Sequence, residues 1–86
     1  MTGAMSPKER IRKFVVDELG QDRPATDFAD ETSLIDNGVI DSLAIVKVVL
    51  FVEREFGIKV RDEEVLPASF DSIASIASFV EAKTGR

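Results

Sequence analysis

Apolar residues recur at helical spacing in three stretches of the chain. In the first, Ile11, Phe14, Val15 and Leu19 fall on one stripe. The preceding Ser6-Pro7-Lys8-Glu9 fits a capping box, with Ser6 as N-cap, Pro7 at the first helical position and Glu9 reaching back to the cap. Gly20 is the predicted stop. The second stretch runs from about Ser42 to Phe56 and ends at Gly57; either Asp41 or Ser42 can cap it. In the third, Ile73, Ile76, Ala77 and Val80 recur at i, i+3, i+4 and i+7, with Asp71 as the predicted cap and Gly85 as the close. Between the last two, "RDEEVL" at 61–66 predicts one short helical turn before Pro67.

Residues 21–41 break this pattern. Pro24, several Asp and Thr residues and the Asn37-Gly38 pair disfavour a regular element. Yet Phe28, Leu34, Ile35, Val39 and Ile40 are too apolar for a free loop, so the connection is expected to be pinned onto the helices. A connection of this length in a small domain often carries function. No segment sustains a period of two. The reading is all-α: a four-helix bundle of three longer helices and one short one, forming a single domain over residues 1–86. Residues 1–5 read as a flexible tail or a cloning remnant.

Composition narrows what such a bundle can do. A chain of 86 residues buries a small core, about 60–65% of its unfolded surface, and has little room for a deep cleft. A net charge of −5 argues against nucleic acid, which needs clustered Lys and Arg. The longest unbroken apolar run, Val48 to Val52, is too short to cross a bilayer, and "MTGAMSPKER" lacks the apolar centre of a signal peptide. The expectation is therefore a cytoplasmic monomer bound to neither membrane nor nucleic acid. There is no cysteine and no histidine. Disulfides, Cys/His zinc sites, a Ser-His-Asp triad and a Cys-His pair are all excluded. Any thioester chemistry must import its sulfur.

Ser42 is the candidate site. A serine at a helix start sits among backbone N–H groups without intrahelical partners, at the positive end of the macrodipole. That setting suits a phosphate ester on its oxygen. An isolated Asp-Ser-Leu is common and by itself reads as a helix cap. The wider context is more specific: "SLIDNGVIDSL" before and at the helix start, "VEREFGIKV" at its end, and "FDSIASIASFVE" as the last helix. Together these resemble the carrier proteins of fatty acid, polyketide and nonribosomal peptide assembly, from about residue 6 to residue 84. The resemblance implies a four-helix bundle in which Ser42 carries a covalent 4′-phosphopantetheine derived from coenzyme A. Its thiol would hold an acyl or aminoacyl group. Asp41 and Leu43 would flank the serine for a phosphopantetheinyl transferase that uses magnesium.

A second Asp-Ser-Ile, Asp71-Ser72-Ile73, also stands at a helix start. Local capping physics does not separate it from the first. The resemblance does, since the family's serine follows the long loop and precedes the central helix; Asp71 and Ser72 are then ordinary caps. Asp30, Glu31, Asp36 and Asp41 offer oxygen ligands, but an EF-hand register with Gly38 at position six lacks the first acid and the final bidentate one. A solvated acidic loop is the better reading, and no metal site is expected.

The second helix holds more apolar residues than one stripe needs: Ala44, Ile45, Val46, Val48, Val49, Leu50, Phe51 and Val52. Either the bundle and loop bury most of them, or some form a docking face for partner enzymes. Carriers of fatty acid synthesis usually show an acidic second helix, whereas here Ala44 and Lys47 stand in its first half and Glu53 and Glu55 near its end. The "GVIDSL" run is more similar to discrete aminoacyl, peptidyl and D-alanyl carriers, and some secondary-metabolite acyl carriers share it. The expected function is a discrete, non-enzymatic carrier, in nonribosomal peptide, aminoacyl or specialised secondary metabolism. Its partners would be the transferase, an adenylating enzyme or acyl/aminoacyl ligase, and a downstream synthase, transferase or tailoring enzyme. The alternatives are an acyl carrier of fatty acid or polyketide synthesis, an unmodified helical interaction module, and a small hydrolase using Ser42, which the missing histidine disfavours.

Overall fold

A computed structural model describes residues 6–20 and 28–85. The N-terminal residues 1–5, read above as a tail, and the first part of the long connection, with Pro24, lie outside the described residues. Helix α1 spans Pro7–Phe14 and continues as a π-helical turn, Val15–Leu19. Helix α2 spans Ser42–Phe56 and α3 spans Ile73–Thr84. The expected short fourth helix is a pair of 3₁₀ turns, Asp62–Glu64 and Pro67–Ser69. Among the described residues there is no strand, and the all-helical expectation holds.

The capping box forms as the sequence predicts. The Glu9 N–H donates to Ser6 Oγ at 3.2 Å, and the Ser6 N–H donates to Glu9 Oε1 at 2.8 Å. Ile11 and Val15 carry the buried stripe of α1, and Phe14 stacks on Phe51 of α2 with ring centroids 4.2 Å apart. The last turn of α1 widens, so that the Gly20 N–H donates to the Val15 carbonyl, five residues back, at 2.8 Å. Gly20 stops the helix for a reason the pattern did not contain. Its φ of −114° needs no glycine, but a Cβ there would fall 2.2 Å from Phe28 Cζ. The ring that anchors the long connection thus lies directly against the backbone.

Helix α2 ends on Gly57 in the left-handed region, with φ 65°, as expected. Its inward face is Ala44, Val48 and Val52. Helix α3 supplies Ile73, Ile76, Ala77 and Val80, and Phe70 just before it. α1 packs chiefly against α3. One apolar cluster joins these residues to Phe28, Leu34, Val39, Ile40 and Val60, so the loop before α2 is indeed pinned. Full burial of each Val, Leu, Ile or Phe side chain among them is worth about 1.5–3 kcal/mol.

The predicted cap of α3 is corrected. Ser72, not Asp71, is the N-cap: the Ser75 N–H donates to Ser72 Oγ at 3.0 Å. With only one side chain able to cap, Asp71 is released to the long loop.

Candidate functional site

The loop reaches α2 through a compact, hydrogen-bonded turn. Leu34 is fully buried, and its carbonyl accepts the N–H groups of both Val39 (2.8 Å) and Ile40 (3.1 Å). The Asn37 side chain donates to the Ser33 carbonyl at 2.6 Å, and Gly38 supplies the positive φ, 74°, that lets the chain reverse. Val39 and Ile40 then insert into the core, which leaves Asp41 as the first exposed residue before α2.

Asp41 caps the helix. Its Oδ1 accepts the Ala44 N–H at 2.9 Å, and its carbonyl accepts the Ile45 N–H at 2.9 Å. Ser42 is therefore the first helical residue rather than the cap. It is exposed, and no hydrogen bond ties its hydroxyl to another described residue. The side chain of Asp41 reaches only the Ala44 N–H, so the N–H groups of Ser42 and Leu43 keep their positive ends open, and the first turn holds no acid.

The three residues expected to act together thus lie together. An apolar stripe starts at the last of them: Leu43 is 75% exposed, and Val46 and Leu50 are each 54% exposed. Lys47 is exposed within the same stretch of α2. Of the residues that exceeded one stripe, Ala44, Val48 and Val52 are buried, while Ile45, Val49 and Phe51 are half-buried at the edges of the core. α2 is thus core on one side and open apolar surface on the other.

The second tripeptide is arranged differently. Ser72 is 7% exposed, and its hydroxyl both accepts from the Ser75 N–H and donates to Ser75 Oγ at 3.0 Å. Asp71 accepts from Ser33 Oγ (2.7 Å) and from the Ile35 N–H (3.3 Å) on Oδ1. The tandem Asp-Ser signals only that one of two cap-competent side chains is left over from capping, not which residue it meets. Of the acids weighed as metal ligands, Asp30 pairs with Lys8 at 3.3 Å and with Arg12, which also donates to the Phe28 carbonyl. Among the described residues no group of three ligand-type side chains is placed to hold a metal.

Residues 9–80 match the family described as "Phosphopantetheine attachment site". The chain belongs to this family. The acyl carrier protein of Clostridium acetobutylicum is 36% identical over 76 residues, which is 88% of this chain and 94% of that one. The acyl carrier protein of Solidesulfovibrio magneticus is 30% identical over 81 residues, 94% of this chain and 99% of that one. Among solved structures, "Structure of KstB-PCP(apo)" superposes with a TM-score of 0.73 at 43% identity, covering 87% of this chain and 82% of that one. A chain of "Crystal structure of FAD-dependent dehydrogenase" superposes with a TM-score of 0.70 at 26% identity, covering 81% of this chain and 97% of that one. This member of the phosphopantetheine-attachment family is a carrier without catalytic activity of its own, and its cofactor is covalent 4′-phosphopantetheine. Among its described residues no helix is long and apolar enough to cross a membrane.

Proposed function

We propose that Ser42 is the attachment residue, and that the chain is a carrier of aminoacyl or small acyl groups in nonribosomal peptide or related specialised metabolism. One observation carries the choice of serine: Ser42 is exposed with an uncommitted hydroxyl at the start of α2, whereas Ser72 is buried and doubly hydrogen-bonded. The surroundings fit a phosphodiester. The open N–H groups of the first turn and the positive helix end favour the added negative charge. Asp41 keeps that end ordered by capping it from outside, through the Ala44 N–H.

In the modification, Ser42 Oγ forms a new bond to phosphorus as the pyrophosphate bond of coenzyme A breaks. A nucleoside bisphosphate leaves, and the hydroxyl proton passes to a base of the transferase. The thiol of the finished arm supplies the thioester that a chain without cysteine cannot make itself. Leu43, Val46 and Leu50 offer partner enzymes an apolar surface beside the arm. Contacts through such a surface depend weakly on salt, unlike those of an acidic helix.

The aminoacyl side rests on the sparse acids of α2 and on the likeness to KstB-PCP(apo), whose abbreviation fits a peptidyl carrier. An acyl carrier remains the second reading, favoured by the two curated relatives named as acyl carrier proteins. The likeness to a chain in a structure named for an FAD-dependent dehydrogenase supports testing an oxidoreductase among the downstream partners.

The test is intact mass after incubation with coenzyme A, magnesium and a broad-specificity phosphopantetheinyl transferase. Wild-type and Ser72→Ala chains gain one phosphopantetheine, and Ser42→Ala gains none. A gain by Ser42→Ala sinks the assignment. Loading the modified chain from panels of amino acids and acyl groups, with candidate ligases, then separates the two cargo readings.

A further inference from the structure

The loop that delivers Ser42 is held from the far end of the sequence. Asp71 makes three bonds to Ser33–Ile35: its Oδ1 accepts from Ser33 Oγ at 2.7 Å and from the Ile35 N–H at 3.3 Å, and its carbonyl accepts from the Leu34 N–H at 2.6 Å. Ser33 Oγ in turn accepts the Asp36 N–H at 3.1 Å, so one hydroxyl links Asp71 to the reversing turn. A second tie lies close by, where the Ala74 N–H donates to the Asp30 carbonyl at 2.9 Å. The held segment is the one whose Leu34 carbonyl accepts from Val39 and Ile40, and Ile40 is two residues from Ser42. α3 does not need Asp71, because Ser72 caps it. The carboxylate is thus available for the loop alone.

We propose that Asp71 is a positioning residue for modification at Ser42: by clasping Ser33–Ile35 it fixes the turn that sets Asp41 and Ser42 at the head of α2. This rests on Ser42 being the attachment residue. Asp71 is half-buried, touches the loop at Ser33–Ile35 and acts through it. A loosened turn leaves only a fraction of chains presenting the serine correctly, and that fraction appears as weaker apparent binding to the transferase rather than slower chemistry.

The experiment has two arms. In the first, amide exchange is measured on the unmodified full chain. Asp71→Ala speeds exchange at Leu34, Ile35 and Asp36 by about tenfold or more, with Val48, Val52 and Val80 unchanged. Asp71→Asn, which keeps an acceptor oxygen in place, retains the wild-type pattern. In the second arm, steady-state modification is followed with coenzyme A, magnesium and the transferase, well below the melting temperature of every variant. Asp71→Ala raises KM for the carrier by roughly tenfold while kcat stays within about twofold, and Asp71→Asn restores wild-type kinetics. Ser33→Ala, which removes the hydroxyl between the two sides, moves both readouts in the same direction and stands in if Asp71→Ala does not fold.

Unchanged exchange at Leu34–Asp36 overturns the clasp. Wild-type kcat/KM in Asp71→Ala, or Asp71→Asn as impaired as Asp71→Ala, overturns the positioning role. A wild-type chain that gains nothing, or a Ser42→Ala chain that still gains, overturns the attachment reading and with it the role of Asp71 in modification. The exchange arm still decides by itself whether the clasp exists.

Discussion

Two helices of this carrier start on nearly the same three residues, Asp41-Ser42-Leu43 and Asp71-Ser72-Ile73, and use them in opposite ways. At α2 the aspartate caps, the serine stands in solvent and Leu43 is 75% exposed. At α3 the serine caps and is 7% exposed, the isoleucine is fully buried, and the aspartate turns to the loop. The cause is a shift of two residues in where each helix begins relative to its core face. α3 enters the core at the first residue after its cap, Ile73, whereas α2 enters it at the third, Ala44. The two intervening positions of α2 are free to face outward, and Ser42 and Leu43 occupy them. The same side chains become a structural joint or a chemical handle according to helix phase.

The third residue of each tripeptide gives the largest expected contrast. Ile73→Ala removes a fully buried side chain and is expected to cost about 2–5 kcal/mol, a large part of a margin on the order of 5–10 kcal/mol for a domain of this size. Leu43→Ala touches solvent and should cost less than about 0.5 kcal/mol. Denaturant unfolding of the two variants checks this. Comparable losses would mean that Leu43 is covered and that the proposed docking face is core.

The capping residues come next. Ser72→Ala removes the acceptor of the Ser75 N–H and should cost about 1 kcal/mol, as should Asp41→Ala, which removes the acceptor of the Ala44 N–H. Ser42→Ala removes no bond to a described residue and should stay within about 0.5 kcal/mol of wild type while abolishing modification. The comparison breaks if Ser42→Ala destabilises as much as Ser72→Ala, because Ser42 would then be a cap.

How much of this could be read from the sequence follows the range of the forces involved. Ser6, Pro7, Glu9 and the bounds of α2 were legible because capping and helical periodicity are local. The pinning of the loop through Leu34, Val39 and Ile40 was legible because apolar residues in a polar segment need cover. Two contacts were not. The ring of Phe28 against Gly20 and the clasp of Asp71 on Ser33 join residues distant in sequence, and no local rule ranks such pairs. The division between Asp71 and Ser72 needed the phase of α3 to within one residue, which a run such as "FDSIASIAS" does not fix, since capping allows either start. The family resemblance chose Ser42 over Ser72; burial and hydrogen bonding supply the physical ground for that choice.

The smallest expected effect lies at the opposite ends of the two helices. Both end at an exposed left-handed glycine and both last turns are tied, α2 to α1 through Glu55 and Arg10 at 3.3 Å, and α3 to the turn at Asp62–Glu64, where Lys83 Nζ lies 2.7 Å from Glu64 Oε1, which also accepts the Arg61 N–H at 2.9 Å. The hydrogen bond from Lys83 and then that from the Arg61 backbone hold the Glu64 carboxyl below its ordinary value. A carboxyl whose folded pKa is depressed adds stability that is fully present above its unfolded value, near 4.3, and is lost as pH falls through the lower folded value. Melting temperature should therefore drop less steeply on acidification below about pH 5 in Glu64→Gln than in wild type, with the two curves closest at the acid end. Because the pair is partly exposed, added salt should narrow the gap at neutral pH. Parallel curves would show that Glu64 does not tie α3 down.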